Sequence, residues 1–400
     1  MSTELKIVST DGMLAGLKPQ APDALLAVMA ECRNDPRPHK IDLTVGMYRN
    51  TSGITPVMRA VKSAERWLLE NQETKGYLGP EGDLVFVDLL KPFIFSDTLR
   101  TSNRLAGIQT PGGTGALRLA GDLVAASGRD ATVWLGTPTW GNYRSLFAAS
   151  RLKVEAYGCF DVVSQTLEFE KVQAALARAK AGDVVVLQAS CNNPTGASFS
   201  TAQWDVIANT LAERKLVPLL DVAYQGLGEG FKEDVASVHT VLGKVDEALV
   251  AYSCDKNFGV YRERVGALYA VTTSSAVAQT VFSNMVSMAR ANWSMPSDHG
   301  AAVVRLILES ADLSKVWMTE LNEMRARVQS NRQQLATSDA RFAPHGRQQG
   351  MFSMLNLDAG KIAKLKQEHA VYMAGTGRIN IAGFRGDDIE RFAAAVRAVS

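Results

Sequence analysis

Six short apolar runs constrain the fold of this chain more than any other feature of its sequence. The runs are Thr132–Leu135, Leu152–Ala156, Asp183–Leu187, Leu216–Leu220, Ala248–Tyr252 and Val265–Val271. Most are separated by segments with helical spacing, which is typical of a parallel sheet covered by helices on both faces. The last two runs are too close for a helix between them, so the final strand is expected to be antiparallel. The sequence therefore predicts an α/β fold with a mainly parallel sheet.

The length of the chain indicates two domains. Its 400 residues exceed a single typical core. Apolar residues recur at helical spacing over residues 313–335, which predicts one long amphipathic helix, and three short strands and a helix from Asp387 are expected after it. We predict an N-terminal arm with part of a small domain (1–50), a large domain (51–312), and the long helix with the rest of a smaller α+β domain (313–400).

Charge and cysteine usage argue against several classes of function. The net charge is +2 and the charges are mixed, so neither a nucleic-acid surface nor a membrane surface is indicated. No run reaches the roughly 18 apolar residues of a membrane span. The four cysteines form no C-x-x-C pair and the five histidines lie far apart, so no metal site is expected. These features predict a soluble protein in a reduced, cytoplasmic setting.

One apolar run delivers a lysine that is a candidate catalytic group. The predicted strand Ala248–Tyr252 ends just before Ser253, and Lys256 follows in a turn. A lysine between two buried strands is costly to desolvate, and desolvation also makes its amine a good nucleophile for a carbonyl cofactor. Ser253 and Arg264 supply a hydroxyl and a permanent cation suited to a phosphate. The alternative is a solvated lysine at a loop tip, which is the commoner situation for any single lysine.

Further candidates follow other predicted strands, at the edge where open α/β sheets bind ligands. Asp221, with Tyr224 three residues later, is placed to pair with a ring nitrogen, although such an aspartate is also a common helix N-cap. Trp140 can cover a flat ring, but a lone tryptophan more often belongs to a core or an interface. Asn193 lies in an Asn-Asn-Pro-Thr-Gly segment that by itself predicts only a turn.

Two segments supply anion-binding groups. Gly112, Gly113 and Thr114 lie at a predicted helix start, where free N–H groups and the helix dipole favour a phosphate. Arg378 begins an alternating strand and is suited to a bidentate grip on a carboxylate, against the alternative of an ordinary surface arginine. Together with Lys256, these groups describe a site for pyridoxal 5'-phosphate and an amino-acid substrate.

The order and spacing of these motifs resemble the class I, fold-type-I aminotransferases, and within them the aspartate and aromatic-amino-acid group. The matching stretches are Lys75–Gly79, Thr110–Arg118, Asn193–Gly196, Asp221–Gly226, Lys256–Gly259, Glu263–Gly266, Arg290–Ser294, Gly350–Ser353 and Gly377–Asn380. The resemblance implies a seven-stranded-type sheet, pyridoxal phosphate as cofactor and a homodimer with shared active sites. It also implies transfer of the amino group of aspartate, tyrosine or phenylalanine to 2-oxoglutarate in a ping-pong mechanism.

The resemblance assigns roles around the cofactor ring. Lys256 would carry the cofactor as a Schiff base and later move a proton. Asp221 would keep the pyridine nitrogen protonated, and Asn193 and Tyr224 would bond the ring oxygen. Trp140 would stack on the ring.

It assigns roles to the phosphate and substrate ligands as well. The phosphate ligands would be Gly112, Gly113, Thr114, Ser253 and Arg264, joined by Tyr77 from the second subunit. The substrate's α-carboxylate would be held by Arg378, with Trp140, Asn193 and the backbone at Gly46. Arg290 would reach across the dimer to a distal carboxylate.

Several positions depart from the family pattern. Asp255 stands where serine is usual, and Tyr143, Gln188 and Asn192 stand where histidine is usual, near the pyridine-binding aspartate. Gly76 and Met295 replace polar residues common in aspartate-preferring members. Because a carboxylate facing the phosphate would be repelled, we expect Asp255 to turn toward a backbone donor or a cation.

Two other functions stay open at this point. One is another pyridoxal enzyme on the same fold, such as a β-lyase, although a lyase needs no counterpart to Arg290. The other is a non-catalytic sensor of pyridoxal phosphate, although the chain has no basic helix-turn-helix for such a role. The sequence does not rank aspartate against phenylalanine and tyrosine as donor.

Overall fold

The computed structural model describes residues 12–400, and its strands alternate with helices as the sequence predicts. The strands are β1 (Ile41–Asp42), β2 (Leu105–Pro111), β3 (Thr132–Thr137), β4 (Lys153–Gly158), β5 (Phe160–Asp161), β6 (Thr166–Leu167), β7 (Val184–Gln188), β8 (Val217–Val222), β9 (Ala248–Ser253), β10 (Val265–Val271), β11 (Phe352–Met354), β12 (Val371–Tyr372) and β13 (Arg378–Asn380). Part of the predicted N-terminal arm, residues 1–11, lies outside the described residues. Residues 12–20 are exposed and contain one 3-10 turn.

Helices cover the strands on both sides. They are α1 (Ala24–Asn34), α2 (Arg59–Asn71), α3 (Leu84–Ile94), α4 (Asp97–Arg100), α5 (Gly112–Ala126), α6 (Asn142–Ala149), α7 (Phe169–Arg178), α8 (Thr201–Glu213), α9 (Ala236–Leu242), α10 (Ser275–Asn292), α11 (His299–Glu309), α12 (Ala311–Ser338), α13 (Ala359–His369) and α14 (Asp388–Ala398). The predicted long amphipathic helix is α12, which has 28 residues. Within the described part of the chain, no helix is both long and apolar enough to cross a membrane.

The large sheet has seven strands in the order β2-β10-β9-β8-β7-β3-β4. The five strands from β9 to β4 run parallel, and β10 is antiparallel to both of its neighbours. The predicted α/β class and the antiparallel last strand are therefore confirmed. The central strands β9 and β10 are buried at every position, as expected for strands with helices on both faces.

Strand β2 is the element that the apolar pattern missed. Its sequence contains two polar residues, Gln109 and Thr110, yet both side chains are fully buried. The Gln109 amide accepts from the backbone N–H of Asp83 at 2.8 Å and donates to the carbonyl of Ser297 at 2.8 Å. Because these partners come from distant segments, a buried polar strand is invisible to a pattern that counts apolar residues.

Short strands from the two ends of the chain pair with each other. Strand β1 pairs in parallel with β12, and β11 pairs antiparallel with β13. The tail strands are shorter than predicted, and the run after Arg378 turns into a 3-10 helix at Ile381–Gly383. The N-terminal segment thus pairs with the C-terminal part of the chain. The division into a large and a small domain, with boundaries near residues 50 and 312, stays a prediction.

A tryptophan of α12 packs against the turn that follows β9. Trp317 is 1% exposed and stacks on Phe258, with ring centroids 4.2 Å apart and planes 5° apart. Its indole N–H donates to the carbonyl of Asn257 at 2.8 Å. Both contacts lie directly after Lys256 in the chain, so α12 supports the turn that carries this lysine.

We expect Trp317→Phe to lower the free energy of unfolding by about 1–3 kcal/mol, because a buried carbonyl loses its donor. The change Trp317→Ala should cost about 3–5 kcal/mol, since it also leaves a cavity. Urea denaturation at neutral pH measures both values. The matched control is Trp67→Phe at a half-exposed tryptophan, and an equal loss in the control would contradict the importance of the Trp317 contacts.

Candidate active site

A cavity of about 220 Å³ lies at the carboxyl ends of the parallel strands and collects most of the predicted site residues. The predicted residues that line it are Gly46, Gly113, Thr114, Trp140, Asn193, Asp221, Tyr224, Ser253, Lys256 and Arg378. They come from segments more than 300 residues apart in sequence, at both ends of the chain. This is the edge of the sheet where α/β proteins bind ligands.

Lys256 extends from the turn after β9 toward this cavity. Its Nζ lies 5.4 Å from the ring centroid of Tyr224 and makes neither a hydrogen bond nor an ion pair with residues 12–400. Burial lowers the pKa of the Lys256 ammonium below its usual value, and the carboxylates of Asp255 and Asp221 partly oppose this shift. A lysine amine with a lowered pKa is more often neutral and therefore nucleophilic near pH 7.

Asp221 lies near the end of β8 and is almost completely buried. Burial raises the pKa of the Asp221 carboxyl, whereas a hydrogen bond from Tyr143 and the nearby Lys256 ammonium lower it. The Tyr143 hydroxyl donates to Asp221 Oδ2, and burial holds the pKa of Tyr143 well above its usual value. A neutral tyrosine is thus the direct partner of the carboxylate, at one of the positions where the sequence departs from the family.

Asn193 and Tyr224 are neighbours beside the same carboxylate. Asn193 Nδ2 donates to the Tyr224 hydroxyl at 3.3 Å. Gln188, at the end of β7, accepts from the backbone N–H of Asn193 at 2.6 Å and donates back to its carbonyl at 3.1 Å. These two bonds fix the backbone of the turn that carries Asn193. Gln188, which stands where the family usually has histidine, therefore has a structural role.

The start of α5 forms the anion-binding end of the cavity. Among residues 12–400, no side chain caps this helix, so its first N–H groups are available to a ligand. Gly112 has φ +67°, and a Cβ built on it would lie 2.5 Å from Nη2 of Arg264. Gly112 and Arg264 do not line the cavity themselves, but they form the layer directly behind Gly113 and Asp255.

Asp255 shares this region with Arg264. Its side chain is 3% exposed and forms an ion pair with Arg264, and its Oδ1 accepts from the backbone N–H of Val265 at 3.2 Å. Both kinds of partner expected for this residue, a backbone donor and a cation, are therefore present. Asp255 nevertheless lines the cavity, and the cation it binds is one of the predicted phosphate ligands.

Arg378 also lines the cavity and is held by two segments that are distant in sequence. Its Nη1 donates to Asn193 Oδ1 at 3.2 Å and its Nη2 to the carbonyl of Thr44 at 2.7 Å. The guanidinium carbon lies 4.7 Å from the ring centroid of Phe352. Its Nε is buried and has no partner among residues 12–400. A buried donor without an acceptor is costly, which is the expected state of a carboxylate clamp without its ligand.

Apolar residues that the sequence analysis did not select complete the lining. They are Leu25, Val45, Leu117, Ala223 and Phe352. Trp140 contacts Tyr143 edge to face, with ring centroids 5.3 Å apart. The ring of Phe352 explains Gly46, since a Cβ there would lie 2.3 Å from Phe352 Cζ. Phe352 belongs to the matched stretch Gly350–Ser353, which was the available signal for it.

Tyr77 and Arg290 do not reach the cavity within this chain. The Tyr77 side chain is 96% exposed. Arg290 is also exposed and donates to the hydroxyl of Ser294. Met295 accepts from the backbone N–H of Leu78 at 3.1 Å, next to Tyr77. A single chain thus leaves two predicted ligands pointing at solvent.

The groups that the cavity brings together fit pyridoxal phosphate. Free N–H groups at the start of α5 and the Ser253 hydroxyl suit a phosphate, and Asp221 suits a protonated ring nitrogen. The unbonded Lys256 amine suits an aldehyde, and the orphaned Nε of Arg378 suits a carboxylate. No group of three or more histidine, cysteine or acidic side chains that could bind a metal occurs in residues 12–400.

Comparison with known proteins identifies the family. The family Aminotransferase class I and II matches residues 38–396. A tyrosine aminotransferase of Rhizobium meliloti (strain 1021) is 50% identical over 377 residues, which cover 93% of this chain and 96% of that protein. The aspartate aminotransferase of Escherichia coli (strain K12) is 38% identical over 385 residues, covering 94% and 97%.

Solved structures agree with the sequence matches. The aromatic-amino-acid aminotransferase from Burkholderia pseudomallei, covalently bound to pyridoxal phosphate, superposes with a TM-score of 0.93 at 33% identity over 97% of this chain and 99% of that one. The fold, the cofactor and the reaction class follow from these matches. The chain belongs to the class I and II aminotransferases and, within them, to the pyridoxal-phosphate-dependent, fold-type-I group of aspartate and aromatic-amino-acid aminotransferases.

Proposed function

We propose that this transaminase moves the amino group of aspartate and of the aromatic amino acids tyrosine and phenylalanine to 2-oxoglutarate, in two half-reactions of a ping-pong cycle. The observation that carries the proposal is the single cavity that holds Lys256, Asp221 and Arg378. Tyrosine and aspartate are the donors named in two matched aminotransferases, and phenylalanine is added because a matched structure is an aromatic-amino-acid aminotransferase. The donor panel is aspartate, tyrosine and phenylalanine with 2-oxoglutarate as acceptor, and formation of glutamate is the readout.

Lys256 and Asp221 are the groups that act on the reacting atoms. Pyridoxal phosphate, when bound, supplies a carbonyl that takes up the amino group and a ring that withdraws electrons from the substrate's Cα. Lys256, whose pKa burial lowers, serves as nucleophile and then carries a proton to and from Cα. Asp221, which accepts a hydrogen bond from the Tyr143 hydroxyl, would keep a proton on the ring nitrogen of the bound cofactor, and Tyr224 with Asn193 would donate to its ring oxygen.

Arg378 orients the substrate. Its guanidinium is held by hydrogen bonds to Thr44 and Asn193 and packs on the Phe352 ring. Binding of the substrate would therefore cost this side chain little conformational entropy. A bidentate bond to the α-carboxylate would place the amino group toward Lys256. The backbone at Gly46 and the Trp140 ring would close the two sides of the substrate.

The phosphate would be held by Gly112, Gly113 and Thr114 at the start of α5, by Ser253 and by Arg264. The support is that Gly113, Thr114 and Ser253 line one end of the cavity, and that Gly112 and Arg264 lie next to each other beside this end. This anchor keeps the ring in a fixed position while the substrate half of the site exchanges donor and acceptor.

A homodimer with shared sites would account for the two exposed ligands. Tyr77 would then reach the phosphate, and Arg290 the distal carboxylate, of the opposite subunit. The exposed apolar residues near the chain start, Met13, Leu14 and Leu17, would be covered in such an assembly. A cytoplasmic location is proposed as well, because Cys32, Cys159, Cys191 and Cys254 are buried free thiols.

The alternative functions lack comparable support. The relatives described above are all named aminotransferases, so neither a β-lyase nor a non-catalytic sensor is indicated. Arg290 favours a substrate with a second carboxylate, and the apolar Met295 next to Leu78 favours an aromatic ring. Both features together support dual specificity.

Replacing Lys256 with alanine should lower turnover by at least about 10³-fold, because nucleophile and proton carrier are lost together. In the unaltered protein, borohydride reduction and peptide mapping should place the cofactor on Lys256. Because burial lowers the pKa of this amine, Lys256 should be labelled in preference to the exposed lysines of the chain. The control is Lys244→Ala, at a lysine bound to Asp205 and Asn209. Cofactor label on any other lysine would refute the assignment.

Replacing Arg290 with alanine should lower kcat/KM for aspartate and glutamate. The loss corresponds to about 2–5 kcal/mol of transition-state stabilisation, because the distal carboxylate of the substrate loses its cation. The loss for phenylalanine should be small, since an aromatic ring makes no ion pair. Steady-state kinetics with each donor measures the difference, and Arg341→Ala, remote from the cavity, is the control. Equal losses for all donors would show that Arg290 is structural.

Replacing Asp255 with serine should leave cofactor affinity unchanged or make it tighter, because the change removes an anion and frees Arg264 for the phosphate. Titration of the apoprotein with pyridoxal phosphate gives the dissociation constant. Asp388→Ser is the matched control, because Asp388 is equally buried and is paired with Arg385 and Arg391. Weaker binding in the Asp255 variant alone would mean that Asp255 supports the site by holding Arg264 in place.

A further inference from the structure

A buried arginine lies on α12, outside the cavity. The Arg332 side chain is 2% exposed, and burial lowers its pKa to about 9. Its hydrogen-bond partners within residues 12–400 are all neutral groups. A buried cation without a counter-ion is costly, and the cost is acceptable only when its N–H groups are bonded. The residue therefore has a role that packing alone does not explain.

All acceptors of Arg332 belong to one short segment, residues 345–353, here called the 345–353 segment. They are the carbonyls of His345, Gln349, Gly350 and Phe352 and the hydroxyl of Ser353. Apart from the shorter Phe352 contact, these N···O distances lie between 2.7 and 3.2 Å. The planar fork of an arginine can bind several carbonyls at once, whereas a lysine offers three donors from one point.

The 345–353 segment also leans on the turn that carries Asn193. The backbone N–H of Gln349 donates to the carbonyl of Gly196 at 2.7 Å. Gly196 has φ +70°, and a Cβ there would lie 2.4 Å from the Phe352 carbonyl oxygen. The segment and the turn are therefore in direct backbone contact, and Asn193 is one of the two partners of Arg378.

The same segment carries the wall on which Arg378 rests. The Phe352 ring lies 4.7 Å from the Arg378 guanidinium, and β11 pairs with β13 so that Met354 faces Arg378 across the ladder. A shift of the segment would move both the ring and the paired strand. The guanidinium would then lose its alignment, although it would keep its charge.

We propose that Arg332 is a positioning residue for the substrate's carboxylate. By bonding the 345–353 segment, it fixes Phe352 and the β11–β13 pair, and these fix Arg378. The inference rests on the proposed role of Arg378 as the carboxylate clamp. Arg332 makes no hydrogen bond to Lys256 or Asp221, so its loss should change the reactivity of the bound cofactor toward a simple amine much less than it changes the binding of a carboxylate.

The test compares a ligand with a carboxylate and one without, on the enzyme loaded with pyridoxal phosphate. Phenylalanine and methoxyamine both react at the bound cofactor, but methoxyamine has no carboxylate to clamp. In Arg332→Met, kcat/KM for phenylalanine should fall at least about tenfold, while the rate with methoxyamine should stay within about twofold. The dissociation constant of 3-phenylpropionate, an unreactive acid, should rise to a similar degree in calorimetry. Arg332→Lys should lie between Arg332→Met and the unaltered protein.

Two controls make the outcome decisive. Arg327→Met removes another arginine of α12 that bonds the carbonyls of Arg49 and Phe384, and it should not separate the two probes. Arg378→Ala should separate them strongly, and if it does not, the proposed clamp itself is wrong. If it does while the Arg332 variants affect both probes equally or neither, the positioning role alone is refuted. Should Arg332→Met fail to fold, Arg332→Lys and Ser353→Ala carry the same comparison.

Discussion

A carboxylate buried at the end of a central strand is the constraint on which this active site depends. Asp221 lies between two parallel neighbours and is largely buried, so little water is available to stabilise its charge. The Tyr143 hydroxyl and the nearby Lys256 ammonium both lower its pKa, against the effect of burial. The amine is in turn partly kept protonated by the aspartate. Each of these groups therefore sets the charge state of the other, and the helix and strands that hold them must stay in register.

Opposite charges are also paired at the end of the cavity where we propose that the phosphate binds. Arg264 is already paired with Asp255, so the cation that would receive the phosphate is partly neutralised in the protein alone. An ion pair of this kind orders the arginine, and it also weakens the attraction for an incoming anion. Among residues 12–400, no side chain caps the start of α5 at Gly112. If the proposed phosphate site is correct, the backbone N–H groups of α5 would therefore contribute more to anion binding than a partly neutralised Arg264.

Much of the fold and of the candidate site could be predicted from the sequence, because strands, turns and chemical groups occur in local patterns. The runs at Ala248–Tyr252 and Val265–Val271 appear as strands with nearly the predicted bounds. Strand β2 could not be found in this way, since its buried Gln109 is stabilised by segments distant in sequence. Leu25 and Val45 were missed for a related reason, as nothing local marks a residue that reaches a cavity only after the chain ends meet. Tyr143 is the opposite case. The sequence marks it as a departure from the family, but only the structure shows that its hydroxyl donates to Asp221.

Strand β4, at one end of the large sheet, has a consequence for how the protein behaves at high concentration. Within residues 12–400 it has no strand partner on its outer side, and Lys153 and Glu155 are exposed along it. A free strand edge offers unpaired N–H and C=O groups to any other extended chain, which is a route to aggregation. Charged side chains on that edge disfavour such pairing because they would have to be desolvated between two backbones. Self-association through the β4 edge is thereby opposed, so two copies of the protein are not expected to join their sheets at this edge even at high concentration.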